Sequence, residues 1–356
     1  MDNANLDEQL MSSCEGSTSI LRLQRSLENS LGLILGEALQ EKNVVEIYRS
    51  SNGTVWVEKL GCAPACVGTM TDHDAASVVS LVASVMGRGV HADSPSISGT
   101  LPGSGDRFQG LMPPVTTSPV FVIRKRAHIV FTLDDYVESG TLDVGWAAYL
   151  KQAVKKRSNI LIVGGTGSGK TTLVNALLRE LADKKCRVVL LEDTRELQCP
   201  AEDTESLLTK ESEPRVTMQQ LVRITLRMRP DRIVMGEVRG PEALDLLKAF
   251  NTGHPGGIST LHANSAMDAI HRVEDLVGEA LAGEGGVGQV PKRAIGSAID
   301  LVAFIERDRS SPSGRRVKEL VEVCGWTEQG GYDLRSYAAD DLLNQEMCEV
   351  QYEPQT

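Results

Sequence analysis

The sequence of 356 residues predicts an α/β protein built from two domains. From residue 142 onward, strand-like and helix-like segments alternate, which is typical of a mostly parallel sheet covered by helices on both faces. Before residue 130, a hairpin signal and short strands surround a strongly apolar helical segment, which indicates a smaller α+β domain. We therefore predict an N-terminal α+β domain at residues 1–130, a linker at 131–141 and an α/β domain at 142–356.

The first predicted domain combines amphipathic helices with short strands. Ile20–Ala38 and Ala75–Met86 carry apolar residues at helical spacing. Asn52 and Gly53 separate two β-prone segments, which is a strong signal for a hairpin. The hairpin strands are predicted at Val44–Arg49 and Thr54–Glu58, followed by a loop at Ser94–Asp106 and strands at Arg107–Leu111 and Val120–Lys125.

The second predicted domain begins with a short apolar strand at Asn159–Val163 and a helix at Thr171–Leu181. An acidic, frayed tail is expected at residues 339–356. The other predicted elements are strands at Arg187–Leu191 and Arg232–Met235, helices at Met218–Met228 and Glu242–Asn251, and an antiparallel pair at Leu301–Glu306 and Glu319–Val323 around the turn Ser310–Gly314.

The composition argues against several classes of protein. A formal net charge of −11 disfavours a protein whose main task is to hold DNA, because such proteins carry a basic face. The seven cysteines are scattered, so neither a disulfide framework nor a four-ligand zinc site fits their spacing. No segment approaches the ~20 apolar residues of a membrane-spanning helix, and the polar start lacks the pattern of a signal peptide. We expect a cytoplasmic protein.

A glycine-rich segment connects the first strand and helix of the second domain. It matches G-x-x-x-x-G-K-[ST] in the strand–loop–helix context that this phosphate-binding motif needs. Glycines let successive N–H groups surround a phosphate, and the helix dipole adds to the attraction. We predict that Lys170 bridges the β- and γ-phosphates of ATP and that Thr171 binds Mg²⁺. The predicted nucleotide-binding residues are Gly164, Gly165, Thr166, Gly167, Ser168, Gly169, Lys170, Thr171 and Thr172.

Two carboxylates lie at the ends of later strands, at the edge where ligands bind in a parallel sheet. Glu192 follows the strand Arg187–Leu191, and Glu237 follows the strand Arg232–Met235. We expect Glu237 to orient the attacking water and Glu192 to order Mg²⁺ through its water shell. A structural alternative stays open, in which both glutamates cap helices or pair with arginines.

Two histidines lie in the segment TGHPGGISTLHAN, in which glycines imply tight turns. His254 and His262 match no standard zinc spacing. Our hypothesis is that they sense the γ-phosphate or a neighbouring subunit, and the alternative is that they are ordinary loop or core histidines.

Four motifs stand in one order along the chain: GGTGSGKTT, LLEDTREL, VMGEVRG and TGHPGGISTLHAN. Together they resemble the Walker A, Asp, Walker B and His boxes of the secretion and traffic ATPases. Within that superfamily, the chain is most similar to the conjugative-transfer ATPases of type IV secretion systems, the TrbB group, over about residues 107–307. Gly236 departs from the pattern, because Walker B strands often carry an aspartate there, which shifts metal ordering towards Thr171 and Glu192.

The resemblance implies a fold and a set of catalytic residues. It implies a RecA-like P-loop ATPase domain at 142–356, with ATP held between the two domains of each subunit. Arginines before the linker of such proteins bring positive charge to the phosphates, and Arg107 and Arg124 are the candidates here, with surface arginines as the alternative. Tyr136 is a candidate for stacking on the adenine. The residues that occupy their boxes are Lys170, Thr171, Glu192, Glu237 and His262.

The resemblance also implies a hexameric ATP-hydrolysing motor that powers a type IV secretion or conjugation apparatus. The implied partners are five further copies of the chain and inner-membrane channel proteins, with peripheral contact at the inner membrane face. Direct nucleic-acid binding is not expected to dominate. Three alternatives stay open: a P-loop phosphotransferase, a nucleotide-dependent switch with little turnover, and a DNA-translocating ring.

Overall fold

The computed structural model describes residue 32 and residues 35–101, 104–126, 129–182, 185–210, 213–283 and 290–338. The chain divides into two compact units, Met1–Ile129 and Val130–Thr356. Most of the predicted helix Ile20–Ala38 lies outside the described residues, although residues 35–40 are described and helical. The acidic tail predicted at residues 339–356 lies wholly outside the described residues. Within the described ranges, no helix has the length and apolar character to cross a bilayer.

The first unit contains a six-stranded antiparallel sheet. Its strands are β1 Val44–Arg49, β2 Thr54–Lys59, β3 Ala65–Thr69, β4 Ser96–Thr100, β5 Arg107–Leu111 and β6 Val120–Arg124, in the order β3-β2-β1-β6-β5-β4. The predicted hairpin around Asn52 and Gly53 is confirmed by the pairing of β1 with β2. Helix Asp72–Val85 buries Val78 and Val82 in the core of this unit.

The loop predicted at Ser94–Asp106 is wrong over Ser96–Thr100, which form the edge strand β4. This strand buries one large apolar side chain, Ile97. Small polar residues and a glycine fill its other positions. An edge strand with so little apolar surface gives no alternating pattern that distinguishes it from a loop.

The second unit contains an eight-stranded mixed sheet. Its strands are β7 Ile160–Val163, β8 Arg187–Glu192, β9 Asp203–Leu208, β10 Arg232–Met235, β11 Ile258–Leu261, β12 Leu301–Arg307, β13 Arg315–Thr327 and β14 Gly331–Ser336. Their order is β14-β13-β12-β7-β11-β10-β8-β9. The six strands from β12 to β9 are parallel, and β12, β13 and β14 pair antiparallel.

Helices cover both faces of this sheet, as the alternation of elements predicts. Ile160 and Ile162 pack into the core formed with helices Leu133–Glu138, Val144–Lys155 and Lys170–Arg179. Leu161 and Val163 pack into the core on the opposite face. The helices of that opposite face are Met218–Thr225, Glu242–Asn251, Ala266–Gly283 and Lys292–Ala298. All four residues of β7 are buried, as expected for a central parallel strand.

The segment predicted as a linker, 131–141, contains a helix that belongs to the second unit. Helix Leu133–Glu138 begins with a capping box in which Thr132 and Asp135 exchange side-chain and backbone hydrogen bonds. Leu133 and Tyr136 are buried in its core. A helix of six residues is too short to show the periodicity that identifies longer helices. It was therefore not predicted from the sequence.

A buried asparagine holds the amino-terminal edge of the sheet together. Asn159 Oδ1 accepts hydrogen bonds from the backbone N–H groups of Gly256 and Gly257 at 2.9 and 3.0 Å. Its Nδ2 donates to the carbonyl oxygen of Ala298 at 2.8 Å. One side chain therefore fixes the entry of β11 and the end of helix Lys292–Ala298 against β7.

Replacing Asn159 with Ala is expected to lower the free energy of unfolding by about 2–4 kcal/mol, because buried backbone donors and an acceptor lose their partner. The measurement is urea-induced unfolding followed by circular dichroism. Asn251→Ala is the matched control, since Asn251 is exposed, and its cost should stay below ~1 kcal/mol. Equal losses for the two variants would contradict the assignment.

Candidate functional site

The glycine-rich loop lies at the carboxyl end of β7 and leads into helix Lys170–Arg179. Gly167 and Gly169 have φ values of 68° and 104°, in the region that glycine adopts without strain. A Cβ at Gly164 would collide with the carbonyl oxygen of Ile305 and lie 2.6 Å from Ser168 Oγ. Steric constraints therefore require glycine at these positions of the loop.

The loop offers polar groups that fit an anion. Ser168 is buried, and its Oγ has no hydrogen-bond partner among the described residues. Gly169 is the N-cap of the following helix and supplies no capping side chain. The first N–H groups of a helix have no intrahelical acceptor, so a phosphate at this position would satisfy them and meet the positive end of the helix dipole.

Lys170 is folded over the loop from its first helical position. Its Nζ donates to the carbonyl oxygens of Gly164 at 2.9 Å and Gly165 at 3.0 Å. The same Nζ lies 3.4 Å from both ring nitrogens of His262. The sequence-predicted lysine and histidine therefore lie beside each other, although they are far apart in the chain.

Glu237 lies in the same group of side chains. Its Oε1 is 2.9 Å from His262 Nε2, and its Oε2 accepts a hydrogen bond from Arg239 Nη2. Arg239 also lies 3.5 Å from Asp193 Oδ2. The carboxylate lies between an imidazole and a guanidinium at the edge of the sheet, and among the described residues only its contact with Arg239 has the geometry of a hydrogen bond.

Gly236 separates β10 from Glu237, at the position where the family pattern often has an aspartate. A Cβ at this residue would lie 3.4 Å from Glu192 Cγ and 3.5 Å from the carbonyl oxygen of Leu191. The side chain of Glu192 thus occupies the space next to Gly236. A longer side chain at residue 236 would require Glu192 to move.

Glu192 ends β8 and is buried. Its Oε1 accepts the backbone N–H groups of Glu196 and Leu197, both at 2.7 Å. Asn175, on the helix after the loop, fixes the same segment by donating to the Glu196 carbonyl at 3.0 Å and accepting from the Gln198 N–H at 2.8 Å. These N–H groups belong to a loop and not to the start of a helix, so the structure does not show the helix-capping alternative for this oxygen. Magnesium ordering by Glu192 stays a prediction.

The two arginines predicted before the linker lie side by side in the first unit. Arg107 on β5 is directly opposite Arg124 on β6, and both are exposed. Glu46 on β1 is opposite Arg124 on its other side. Contact of Arg107 or Arg124 with phosphates stays a prediction.

The structure does not support adenine stacking on Tyr136 or phosphate sensing by His254, and contact of His254 with a neighbouring subunit stays a prediction. Tyr136 is 5% exposed, so its ring has no free face on which an adenine could stack. His254 Nδ1 contacts the carbonyl oxygen of Pro230 at 3.0 Å. His254 precedes β11, which is parallel to β7, so it lies at the edge opposite the glycine loop and cannot sense a phosphate there. The glycine-rich sequence alone does not show whether a residue precedes or follows a strand.

Two further residues near the loop were not identified from the sequence. Arg307 Nε donates to the carbonyl oxygen of Gly167 at 3.2 Å. The Arg315 guanidinium packs against Gly169, where a Cβ would lie 2.8 Å from Nη1. Both follow from the parallel pairing of β12 with β7, for which no local motif gives a signal.

Metal ligation by protein side chains alone is not supported. Across the described ranges, no group of three or more His, Cys, Asp or Glu side chains is arranged to hold a metal ion. A magnesium ion bound through phosphates needs fewer protein ligands. The Thr171 hydroxyl, at the second position of the helix, is a suitable ligand for the ion.

Comparisons with known proteins agree on one family. The family model described as "Type II/IV secretion system protein" matches residues 104–316. The chain is 44% identical over 319 residues to the conjugal transfer protein TrbB of Rhizobium radiobacter, covering 89% of this chain and 95% of that protein. It is 32% identical to the type IV secretion system protein PtlH of Bordetella pertussis, over 79% and 91% of the two chains. The solved structure of the Legionella pneumophila ATPase DotB has a TM-score of 0.53 at 17% identity, over 94% and 89% of the chains, which shows a shared fold.

The pKa of His262 is expected below its ordinary value of ~6.5. Partial burial lowers this pKa most, the Lys170 and Arg239 charges lower it further, and Glu237 raises it. NMR titration of the imidazole measures it directly. Glu237→Gln should lower the pKa of His262 again, because it removes the negative charge, and an upward movement would contradict the arrangement.

The lowered pKa of His262 makes the stability of the folded chain depend on pH. The unfolded chain binds a proton on this histidine at a higher pH than the folded chain, so the free energy of unfolding falls as pH drops from about 7 through the lowered pKa. His262→Gln removes this contribution. Wild type should therefore lose more stability between pH 7.5 and pH 5.5 than the variant in denaturant titrations.

Proposed function

The chain belongs to the type II/IV secretion system protein family, as a type IV secretion traffic ATPase, and we propose on that premise that it hydrolyses ATP at the loop Gly164–Thr172. The observation that carries the proposal is the convergence of Lys170, His262 and Glu237 beside a loop that requires glycine at residues 164, 167 and 169. A polyphosphate would bind the loop N–H groups and the Ser168 hydroxyl. The RecA-like arrangement of residues 142–356 is part of the proposal and is supported by the mostly parallel sheet.

Lys170 has two sets of acceptors in this proposal. In the structure its ammonium donates to two carbonyl oxygens of the loop. Phosphate oxygens of ATP replace these acceptors when the nucleotide binds, because a hydrogen bond between an ammonium and a negatively charged phosphate oxygen is stronger than one between an ammonium and a neutral carbonyl. The lysine then stabilises the negative charge that develops during transfer.

Glu237 orients the water that attacks the γ-phosphate. Arg239 donates a hydrogen bond to one of its oxygens and restrains the carboxylate from that side. His262, in its neutral form at pH 7, lies beside both Glu237 and Lys170. Glu192 supports the site through the segment that it caps and orders Mg²⁺ through water.

Mg²⁺ fits the Thr171 hydroxyl together with phosphate oxygens and water. When bound, the ion neutralises charge on the phosphates. Arg107 and Arg124 are proposed to add positive charge at the phosphates, as the resemblance implies. The chain's own residues bind the nucleotide, orient the attacking water and provide the lysine contacts to the phosphates.

We further propose that six copies form a ring that powers a conjugation or type IV secretion apparatus by changing the orientation of the N-terminal unit during each cycle. The similarity to TrbB, a conjugal transfer protein, and to PtlH, a type IV secretion system protein, supports this assignment. The proposed partners are inner-membrane channel proteins, with cytoplasmic localisation and peripheral contact at the membrane.

Lys170→Ala and Glu237→Gln should separate binding from chemistry. Lys170→Ala removes the phosphate ligand, so Mg-ATP affinity should fall at least ~10-fold. Glu237→Gln should keep affinity within a few-fold while phosphate release falls ~100-fold or more. Equilibrium binding and a free-phosphate assay without any acceptor measure the two quantities. Phosphate release without an acceptor also distinguishes a hydrolase from a phosphotransferase.

Glu279→Gln is the matched control, because Glu279 is exposed on helix Ala266–Gly283. It should turn over at the wild-type rate. Undiminished phosphate release by Glu237→Gln would refute the proposed role of that carboxylate, and undiminished ATP affinity of Lys170→Ala would refute the proposed site.

Assembly is tested by particle mass. The Glu237→Gln variant with Mg-ATP should give about 231 kDa by light scattering, six times the chain mass of 38.5 kDa. A monomer both with and without nucleotide would exclude the ring.

A further inference from the structure

Two arginines face each other at the end of the β12–β13 hairpin. Arg307 is the last residue of β12, Arg315 is the first residue of β13, and the two are directly opposite in the register. Side chains at opposite positions of an antiparallel pair lie on the same face, and like charges there are destabilising. The fold therefore places two arginine side chains at opposite positions on one face of the hairpin.

The shared face of this pair is directed at the glycine loop. Arg307 donates to the Gly167 carbonyl at 3.2 Å, and a Cβ at Gly167 would overlap Arg307 Nη2. Arg315 packs against Gly169 with its guanidinium and Cδ. Each arginine thus contacts one of the positive-φ glycines of the loop, next to the amino terminus of helix Lys170–Arg179.

Among the described residues, no carboxylate neutralises the pair. In the described part of the chain, neither Arg307 nor Arg315 forms an ion pair, although acidic residues lie on the same hairpin. Those acids, Glu306 and Asp308, are paired with Lys318 at 3.6 and 2.9 Å. Two cations without a counter-ion beside the positive end of a helix create a site that favours an anion.

The sheet order indicates which part of a nucleotide would reach this pair. Lys170 Nζ contacts His262, which follows β11, and Glu237 follows β10. These groups lie on the side of β7 towards β11 and β10, whereas the arginines lie on the β12 side. If the γ-phosphate lies beside Lys170, His262 and Glu237, the α-phosphate of the same nucleotide lies towards β12.

We propose that Arg307 and Arg315 bind the α- and β-phosphates of a nucleoside di- or triphosphate held in the glycine loop. This inference rests on the proposed nucleotide site and adds two binding residues to it. ATP and ADP share these phosphates, so the pair binds both nucleotides equally. Contacts of that kind set affinity and KM, and they leave kcat unchanged because ground state and transition state gain alike.

The experiment compares Arg307→Ala, Arg315→Ala and Arg316→Ala. Arg316 is adjacent to Arg315 on β13 but exposed on the opposite face, so its removal changes the net charge equally and leaves the loop untouched. Isothermal titration with Mg-ADP measures Kd, and steady-state phosphate release measures KM and kcat for Mg-ATP. Each loop-facing variant should weaken ADP binding ~10-fold or more relative to Arg316→Ala, since charge-assisted hydrogen bonds are lost. KM should rise by a similar factor at constant kcat.

A second measurement distinguishes binding from a structural role. Arg315→Ala removes one of two repelling charges, so the nucleotide-free protein should have a Tm equal to or above that of wild type. The increase of Tm on adding ADP should be smaller in the variant, because weaker binding stabilises less. A lower Tm without nucleotide, combined with unchanged ADP affinity, would show that Arg315 has a structural role and would overturn the proposal.

Other outcomes are equally decisive. ADP affinity of both loop-facing variants equal to that of Arg316→Ala would overturn the inference and leave the proposed function intact. A fall in kcat at unchanged KM would also overturn it, because the arginines would then act in the chemical step. Failure of the wild-type protein to bind Mg-ADP or Mg-ATP would instead overturn the proposed nucleotide site itself.

Discussion

The parallel pairing of β7, β11, β10 and β8 is the constraint on which the candidate site depends. Parallel strands place their carboxyl ends at one edge of a sheet. The glycine loop, Glu192, Glu237 and His262 follow four different strands and meet at that edge. The segment containing both histidines shows how strict this constraint is, because β11 divides it and places His254 at the opposite edge.

The loop itself is held from two sides by different physical effects. On the β12 side, the Ile305 carbonyl leaves no space for a side chain at Gly164, and Arg307 binds the Gly167 carbonyl. On the β11 side, Lys170 lies between loop carbonyls and His262. Steric contact shapes the loop from the β12 side, and charged groups lie against it on both sides. A phosphate-binding loop needs both a fixed shape and positive charge, because its N–H groups must point inward before the phosphate binds.

Much of the fold follows from local sequence, and the failures have a common cause. The Asn52-Gly53 hairpin, the buried strand β7 and the helix after the glycine loop are confirmed, because turn chemistry and apolar periodicity act over a few residues. The strand β4 and the short helix Leu133–Glu138 carry too few apolar residues to be recognised. In the site, motifs identified Lys170, Glu237 and His262, which the structure brings together. Arg307 and Arg315 were missed because their position depends on the pairing of strands that are far apart in sequence, such as Ile160 with Leu301. Local patterns contain no information on such pairing.

Two cross-strand arginine pairs lie in the described part of the chain, and their surroundings differ. Arg124 of the pair Arg107–Arg124 also faces Glu46 across the sheet, and its charge lowers the pKa of that glutamate while burial, the larger effect, raises it. The first unit therefore supplies partial neutralisation within its own sheet. The pair Arg307–Arg315 has no carboxylate partner in the described part of the chain, although the hairpin contains acids that bind Lys318 instead. Repulsion that a fold could relieve with a neighbouring acid, and does not, is best explained by an anion from outside the chain, and the adjacent glycine loop supplies the place for it.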